Sequence, residues 1–476
     1  MRQSHALLPT SDTALQPDAS TQERILERAA ELFWKKGYAV TTTREIAASL
    51  GIRQASLYHH VASKENLLCQ LCVTSLGQLL GEVQSAVSES SSPAAQIRLL
   101  VHAHLNTLLK YRTRHALMLK ELRALSGACR RQVLGLRKRY EKLVLVILNQ
   151  AQRDGSVRTD IPTKYLCLAL LNVLNWAVLW FRDDDALSSD QLAEIFARTY
   201  LEGATTSAGR SMLPNLRNSG FPRQKPGARI LAQGRRKTAK TARKAGSTLL
   251  DAAAALFAKK GYDLTSTREI AAELGINKAS LYYHIQNKED LLYDICNSAL
   301  RQIQEDVEAA LQMVSDPLQR IEILIRTHIE SMLREYERNS AALTEMSCLS
   351  TKRLAEVTAL RDSYESLTRS VLDEAHTAGV VRQDVPVKYL CLALLGLLNR
   401  VLVWYRPNGP LSPAQIGTLF ANIYMIGAAD PNSWRPAVAA SSPGLFDGAV
   451  SPAPQANMDR AATKRRRKLR YDRTHP

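Results

Sequence analysis

Adding 224 to a position in the first half of this 476-residue chain lands on its partner in the second half. Lys35-Lys36-Gly37-Tyr38 maps onto Lys259-Lys260-Gly261-Tyr262. From Thr41 to Leu68, 19 of 28 positions match Thr265 to Leu292, and from Asp160 to Arg182, 14 of 23 match Asp384 to Arg406. The offset holds between landmarks far apart, so hardly any net insertion separates them. The chain is a duplicated unit of about 180 residues, too long for a solenoid repeat, and its length calls for two or three cores.

Within each copy, apolar residues recur at helical spacing. Ile25, Leu26, Ala29, Ala30, Leu32 and Phe33 are matched by Leu249, Leu250, Ala253, Ala254, Leu256 and Phe257. No alternating strand pattern occurs, so the expected fold class is all-α. Residues 20–203 form copy one and 246–429 copy two, each with a head (20–68 and 246–292) and a longer helical body (69–203 and 293–429). Residues 1–19, 204–245 and 430–476 hold too little apolar material to fold alone and are expected to be disordered.

The net charge of +18 sits mostly in two of those segments. Ala204 to Gly246 carries eleven Lys and Arg and no acid, and Pro431 to Pro476 carries nine basic and three acidic residues, ending in KRRRKLR. Such basic excess points to a polyanionic partner. The seven cysteines form no disulfide-like framework, which suits a reducing cytoplasm. Cys69 and Cys72 lie on one helix face, where packing is the plainer reading than redox or metal chemistry. The start has no signal-peptide layout. The apolar runs Tyr165 to Phe181 and Tyr389 to Tyr405 are marginal in length and interrupted by Asn172 and Asn175, or by Asn399 and Arg400. They read as buried interface helices, and no membrane partner is expected.

The stretch from Arg44 to Leu68 reads as two short helices about a glycine turn. Thr42 or Thr43 caps the first, Ile46, Ala47 and Leu50 face inward, and Gly51 ends it. A second helix near Gln54 to His60 offers Ala55, Leu57 and Val61 for packing. Ser63-Lys64-Glu65 then opens a longer helix. This is a helix-turn-helix, whose second helix fits a DNA major groove.

With these residues in place, TREIAASLGIRQASLYHHVASKENLL and TREIAAELGINKASLYYHIQNKEDLL, preceded by LFWKKGY and LFAKKGY, resemble the TetR/AcrR family of transcriptional repressors. The motif covers about 50 residues per copy; the bodies are similar only in general character. The resemblance implies a three-helix DNA-binding head, a helical ligand-binding body and dimerisation through the last two long helices. Family members usually carry one such unit per chain, so two are a departure.

The resemblance assigns Thr43, Tyr58, His60 and Lys64, with Thr267, Tyr282, His284 and Lys288, to phosphate contacts, which fix register without reading sequence. Arg44, Arg53, Gln54, Ser56 and His59 are base-edge candidates, matched by Arg268, Asn277, Lys278, Ser280 and Tyr283. Each assignment has a plainer alternative: the tyrosines pack between helices, and the lysines are solvated helix-start charges. The framework is shared, whereas Arg53/Asn277, Gln54/Lys278 and His59/Tyr283 differ at the reading surface. Arg and Lys favour guanine edges, Asn and Gln adenine, so the expected partner is a double-stranded DNA operator with two unequal half-sites. Either copy one pairs with copy two, or the chain forms a homodimer with four heads.

A small-molecule effector is expected in the bodies. The repeated candidates are His104/His328, Arg137/Arg361, Tyr140/Tyr364 and Asn175/Asn399, with Cys167/Cys391 and Trp180/Trp404 as further pairs; core and interface packing is the alternative for all. The arginines could equally serve internal salt bridges through Glu141 and Glu365. A faint likeness to acyl-CoA-sensing members rests on YLCLALL and the segment after it. Neither cofactor nor metal is expected. An enzyme is disfavoured, because the chain has no phosphate-binding glycine loop, nucleophile elbow or repeated metal-spaced cluster. A ligand-responsive repressor leads; a constitutive architectural DNA binder and an activator remain as alternatives.

Overall fold

The computed structural model describes residues 21–182, 187–203 and 240–427, with side chains described from Leu249 onward in the last span. All of them belong to one folded unit. The proposed tail and most of the proposed linker, residues 204–239, lie outside the described residues.

Copy one contains α1 (Thr21–Lys36), α2 (Thr43–Ser49), α3 (Gln54–Tyr58), α4 (Lys64–Ser88), α5 (Pro93–Lys110), α6 (Arg112–Glu121), a 3-10 turn at Leu122–Ala124, α7 (Gly127–Arg153), α8 (Thr163–Trp180) and α9 (Ser189–Glu202). Copy two repeats the order as α10 (Lys240–Lys260), α11 (Thr267–Glu273), α12 (Lys278–Tyr282), α13 (Lys288–Leu311), α14 (Pro317–Arg334), α15 (Tyr336–Glu345), a 3-10 turn at Met346–Cys348, α16 (Thr351–Thr377), α17 (Val387–Asn399), α18 (Val401–Trp404) and α19 (Pro413–Ile426). No strand occurs among the described residues. The helix α10 starts at Lys240, six residues inside the stretch read as linker.

Head and body share a helix in each copy. α4 and α13 begin at the capping residues Ser63 and Asn287 and run through the expected head–body boundaries without a break. The heads share their cores with the bodies as well: Leu117, Met118 and Val133 pack into the cluster built by Ile25, Phe33, Ile46 and Leu57, and Ala341, Met346 and Val357 do so in copy two. A head therefore cannot turn without moving its body's helices, the physical requirement for transmitting a signal between them.

One pairing overturns the reading of the cysteines. Cys69 and Cys129 are joined in a disulfide between α4 and α7, while Cys72 is free and buried. Sixty residues separate the two, so spacing gave no hint of the pairing. Copy two places Tyr293 and Arg353 at these positions, and the guanidinium stacks on the ring at 5.2 Å.

The two copies meet along their last helices. α8 packs on α17, and α9 and α19 flank that contact. Asn172 donates to the Leu397 carbonyl (3.1 Å), and Trp180 and Trp404 each sit 6.4 Å from a tyrosine of the other copy, Tyr389 and Tyr165. The ends of α9 and α19 cross at Gly203 and Gly427, both at positive φ. A Cβ on Gly203 would fall 2.4 Å from the Ile426 carbonyl carbon, so only glycine permits that crossing. Arg382 reaches across to Glu202 (3.0 Å), and Arg158 reaches the Gly427 carbonyl (3.4 Å). By length and composition α8, and α17 with α18, could cross a membrane, yet 56% and 67% of those segments is buried against protein.

Candidate nucleic-acid interface

Each reading head is assembled by caps. In copy one Thr42 accepts from the Glu45 amide while the Glu45 carboxylate accepts from the Thr42 amide; Ser266 and Glu269 repeat this capping box. Gly51 (φ 68°) and Gly275 (φ 66°) make the turn between the two short helices. Ile46, Ala47, Leu57 and Val61 are buried beneath it, with Ile270, Ala271, Leu281 and Ile285 in copy two. Ala55 is exposed, contrary to the expectation that it packs; a helix of five residues has only one buried face, which Leu57 occupies.

The outer face carries the predicted contact residues. Arg44, Arg53, Ser56, Tyr58, His59 and His60 are exposed in copy one, and Arg268, Asn277, Lys278, Ser280, Tyr282, Tyr283 and His284 in copy two. Tyr58 lies 47% exposed and Tyr282 43%, so neither is an inter-helix packing residue. Their hydroxyls instead hydrogen bond to Thr43 (3.1 Å) and Thr267 (3.2 Å). These pairs present two hydroxyls side by side at the surface, suited to a phosphate oxygen.

Four predicted residues have other partners. Gln54 donates to Thr43 Oγ1 (3.1 Å), and Asn277 caps α12 by accepting from the Ser280 amide (2.8 Å). At positions 53/277 and 54/278 the side chains not held by these hydrogen bonds are therefore Arg53 in one head and Lys278, over the Tyr282 ring at 5.5 Å, in the other. Lys64 turns inward, donating to the carbonyls of Tyr38, Ala39 and Thr41 at 3.0, 2.9 and 3.1 Å. Lys288 does the same to Tyr262 and Thr265, over the Tyr262 ring at 4.0 Å. Both lysines tie the loop after the first helix of the head to the shared helix, and a phosphate would have to compete for their N–H groups.

The body candidates separate into pairs. His104 Nδ1 lies 2.6 Å from the Tyr140 hydroxyl, and His328 Nδ1 the same distance from Tyr364, all four buried. Burial holds both imidazoles down to about 3 and pushes both phenols up. Asn175 is spent on its own helix, donating to Leu171 (2.8 Å), and Asn399 is half-buried at the end of α17. Arg137 is exposed, whereas Arg361 reaches the Met346 sulfur (3.7 Å); Glu365 pairs with Arg369 (2.5 Å) instead. Cys167 and Cys391 are buried among apolar helices.

Sequence reasoning passed over one contact between the copies. Arg123, in the 3-10 turn of copy one, donates to the Ala258 carbonyl at the end of α10 (2.9 Å) and to Glu345 (2.7 Å). Ser347 stands at the equivalent position of copy two, so the second body cannot return the contact. A charged residue unmatched between otherwise similar repeats was the only available signal.

A capped helix-turn-helix with an exposed, hydroxyl-rich and basic second helix defines a DNA-binding protein, built here twice. The model for bacterial regulatory proteins of the tetR family matches residues 25–71 and 249–295, and the model for the tetracyclin repressor-like C-terminal domain matches 90–204 and 314–428. The chain belongs to the TetR family of transcriptional regulators, as a tandem duplication of the whole unit. It is 29% identical over 199 residues to the HTH-type transcriptional repressor KstR2 of Mycolicibacterium smegmatis, spanning 42% of this chain and 97% of that protein. It is 19% identical over 160 residues to the fatty acid metabolism regulator protein of Bacillus subtilis, spanning 34% and 82%. Among solved structures, PfmR of Thermus thermophilus is 32% identical, covering 38% of this chain and 97% of that one, with a TM-score of 0.36. AibR in complex with isovaleryl coenzyme A and operator DNA is 28% identical, covering 38% and 98%, also at 0.36.

Proposed function

We propose that this regulator is a repressor that binds one operator with two unequal half-sites, using its two heads as a pair within one chain. The observation that carries this reading is the packing of α8 on α17 with unlike residues at the reading surfaces, Arg53 against Lys278 and His59 against Tyr283. One chain supplying both heads makes the second contact intramolecular and raises its effective concentration. The relatives' repressor names support the sign of regulation. The protein catalyses no reaction in this reading, and it works in the cytoplasm, where a bacterial operator is found.

Release follows when a small apolar effector, of the acyl-CoA or lipid-like class, enters the bodies and favours a different spacing of the heads. The apolar helices around His104 and His328 and the name of the Bacillus subtilis relative support that class. Light-scattering mass on the upstream DNA tests the pairing: one chain of 52.9 kDa per operator is expected. Two chains per operator would instead mean four heads. Palindromes of either half-site should bind more weakly than the native site; equal binding would refute unequal reading.

A further inference from the structure

The joint between head and body is closed by different chemistry in the two copies. In copy two it is closed by charge. Arg353, near the start of α16, donates to Asp290 (2.5 Å) and stacks on Tyr293, whose hydroxyl donates to Glu356 (2.6 Å). Copy one has Asn66 and Gln132 at the positions of the two carboxylates, and Cys69 and Cys129 at those of Tyr293 and Arg353. The disulfide therefore takes the place of the ion pair, between Cα atoms 5.8 Å apart. A second link is common to both joints: the Ser126 amide donates to Glu65 (2.9 Å), and the Ser350 amide to Glu289 (2.8 Å).

A disulfide inside a reducing cytoplasm does not persist as a fixed staple; it forms and opens with the supply of oxidant. The surroundings of this one suit such a cycle. Cys129 is partly exposed, the third residue of a helix of 27, and the exposed Arg130 and Arg131 follow it. The amides of a first turn and neighbouring guanidiniums stabilise a thiolate, the form that reacts with oxidant. Cys69 is buried on the facing helix within bonding reach, the position of a resolving thiol.

We propose that Cys69 and Cys129 are a reversible oxidation site that clamps the first head to its body, with a peroxide as oxidant and a small dithiol as reductant. The Cys129 thiolate attacks one oxygen of hydrogen peroxide and breaks the O–O bond. The hydroxide that leaves takes up the proton the thiol had released and becomes water, and Cys129 carries a sulfenic acid. Cys69 gives up its proton, attacks the Cys129 sulfur and expels hydroxide, which takes that proton as a second water. Two thiols and one peroxide become one disulfide and two waters. A dithiol reverses the cycle and is itself oxidised to a disulfide. Oxidised, both joints are closed; reduced, the first head is held more loosely than the second, whose Tyr293 and Arg353 contain no sulfur. The consequence for DNA rests on the operator reading above: oxidation tightens the half-site read by Arg53 and leaves the one read by Lys278 unchanged.

The test is hydrogen exchange of the DNA-free full chain after hydrogen peroxide or dithiothreitol, with the thiols mapped by alkylation and mass spectrometry. Peroxide should join Cys69 to Cys129, and reduction should speed exchange in α1, α2 and α3 about tenfold or more, with α10, α11 and α12 unchanged. Cys129→Ser should exchange like the reduced chain under both conditions. Cys69→Tyr with Cys129→Arg, which copies the pair found in copy two, should lose the response to either reagent, and Cys72→Ala should keep it. Footprinting on the upstream DNA should show the first half-site protected at about tenfold lower protein concentration after peroxide. A pair that stays reduced under peroxide, equal responses of the two heads or half-sites, or a full response in Cys129→Ser would overturn the site. Absence of protection at both half-sites in every form would defeat the operator reading, while hydrogen exchange still decides the clamp.

Discussion

Trp176 of the first copy lies directly over Gly396 of the second. A Cβ added at Gly396 would sit 2.8 Å from the Trp176 Cβ and 3.0 Å from two atoms of its ring system. In the repeat, Gly396 corresponds to Asn172 and Trp176 to Arg400. The interface thus has a knob on one side and a hole on the other, and pairing like copies would set Trp176 against Asn172. Shape therefore opposes the pairing of two first copies, and tethering favours the unlike pair.

Gly396→Ala should destabilise the paired bodies by roughly 1–3 kcal/mol, the usual cost of overpacking. Combining it with Trp176→Phe should recover part of the loss, because the two sites share one volume. Denaturant midpoints of the single and double variants measure the coupling. Strict additivity would mean that ring and glycine do not meet in solution.

Arg123→Ala removes the contact from the first body to the second head. The loss should be about 1–3 kcal/mol in stability, since Glu345 is left buried beside an empty position. Glu345 also accepts from the Tyr262 amide (3.0 Å), so the second head should loosen specifically. Footprinting should show protection fading at the half-site read by Lys278 before the one read by Arg53.

Three buried histidines set the acid limb of stability. His104 and His328 are held down to about 3 and His115 to about 4, all chiefly by burial. Each ordinarily titrates near 6.5, so between that value and the depressed one the unfolded chain binds the extra proton. Stability is then greatest above pH 6.5 and falls on acidification through that window, each histidine adding roughly 1.4 kcal/mol per pH unit. Urea midpoints against pH should flatten when His115→Asn removes one of them.

Reductant should act on one copy only. Opening Cys69–Cys129 frees a loop of 60 residues and removes roughly 4 kcal/mol by chain entropy. The Tyr293–Arg353 stack at the same place in copy two is indifferent to thiols. Cys129→Ser should reproduce the reductant's effect on melting and abolish any further response to it.

Swapping single reading residues should transfer preference between half-sites. Lys278→Gln with Asn277→Arg converts the second reading surface toward the first, and binding to the symmetrised first half-site should tighten about tenfold or more. Gel-shift competition between the two palindromes gives the ratio.

The all-α class, the duplication and the two heads were legible because they depend on local periodicity, capping residues and a glycine that must take positive φ. Those signals act over a few residues, and Thr42, Glu45 and Gly51 carry them in plain view. Which polar side chains of the head are free was not legible: Gln54, Asn277 and Lys64 have the composition of DNA contacts but are claimed by Thr43, the Ser280 amide and three carbonyls. Nor did the sequence join Cys69 to Cys129, or show that Arg123 faces Glu345. The sequence alone determined two copies of one fold, each with a reading helix. The tertiary structure decided that the copies are unequal partners, because Trp176 finds its room at Gly396 and Arg123 of the first body reaches the second copy at Ala258 and Glu345. Contacts between residues more than 200 positions apart leave no periodic trace, and only folding brings them within reach.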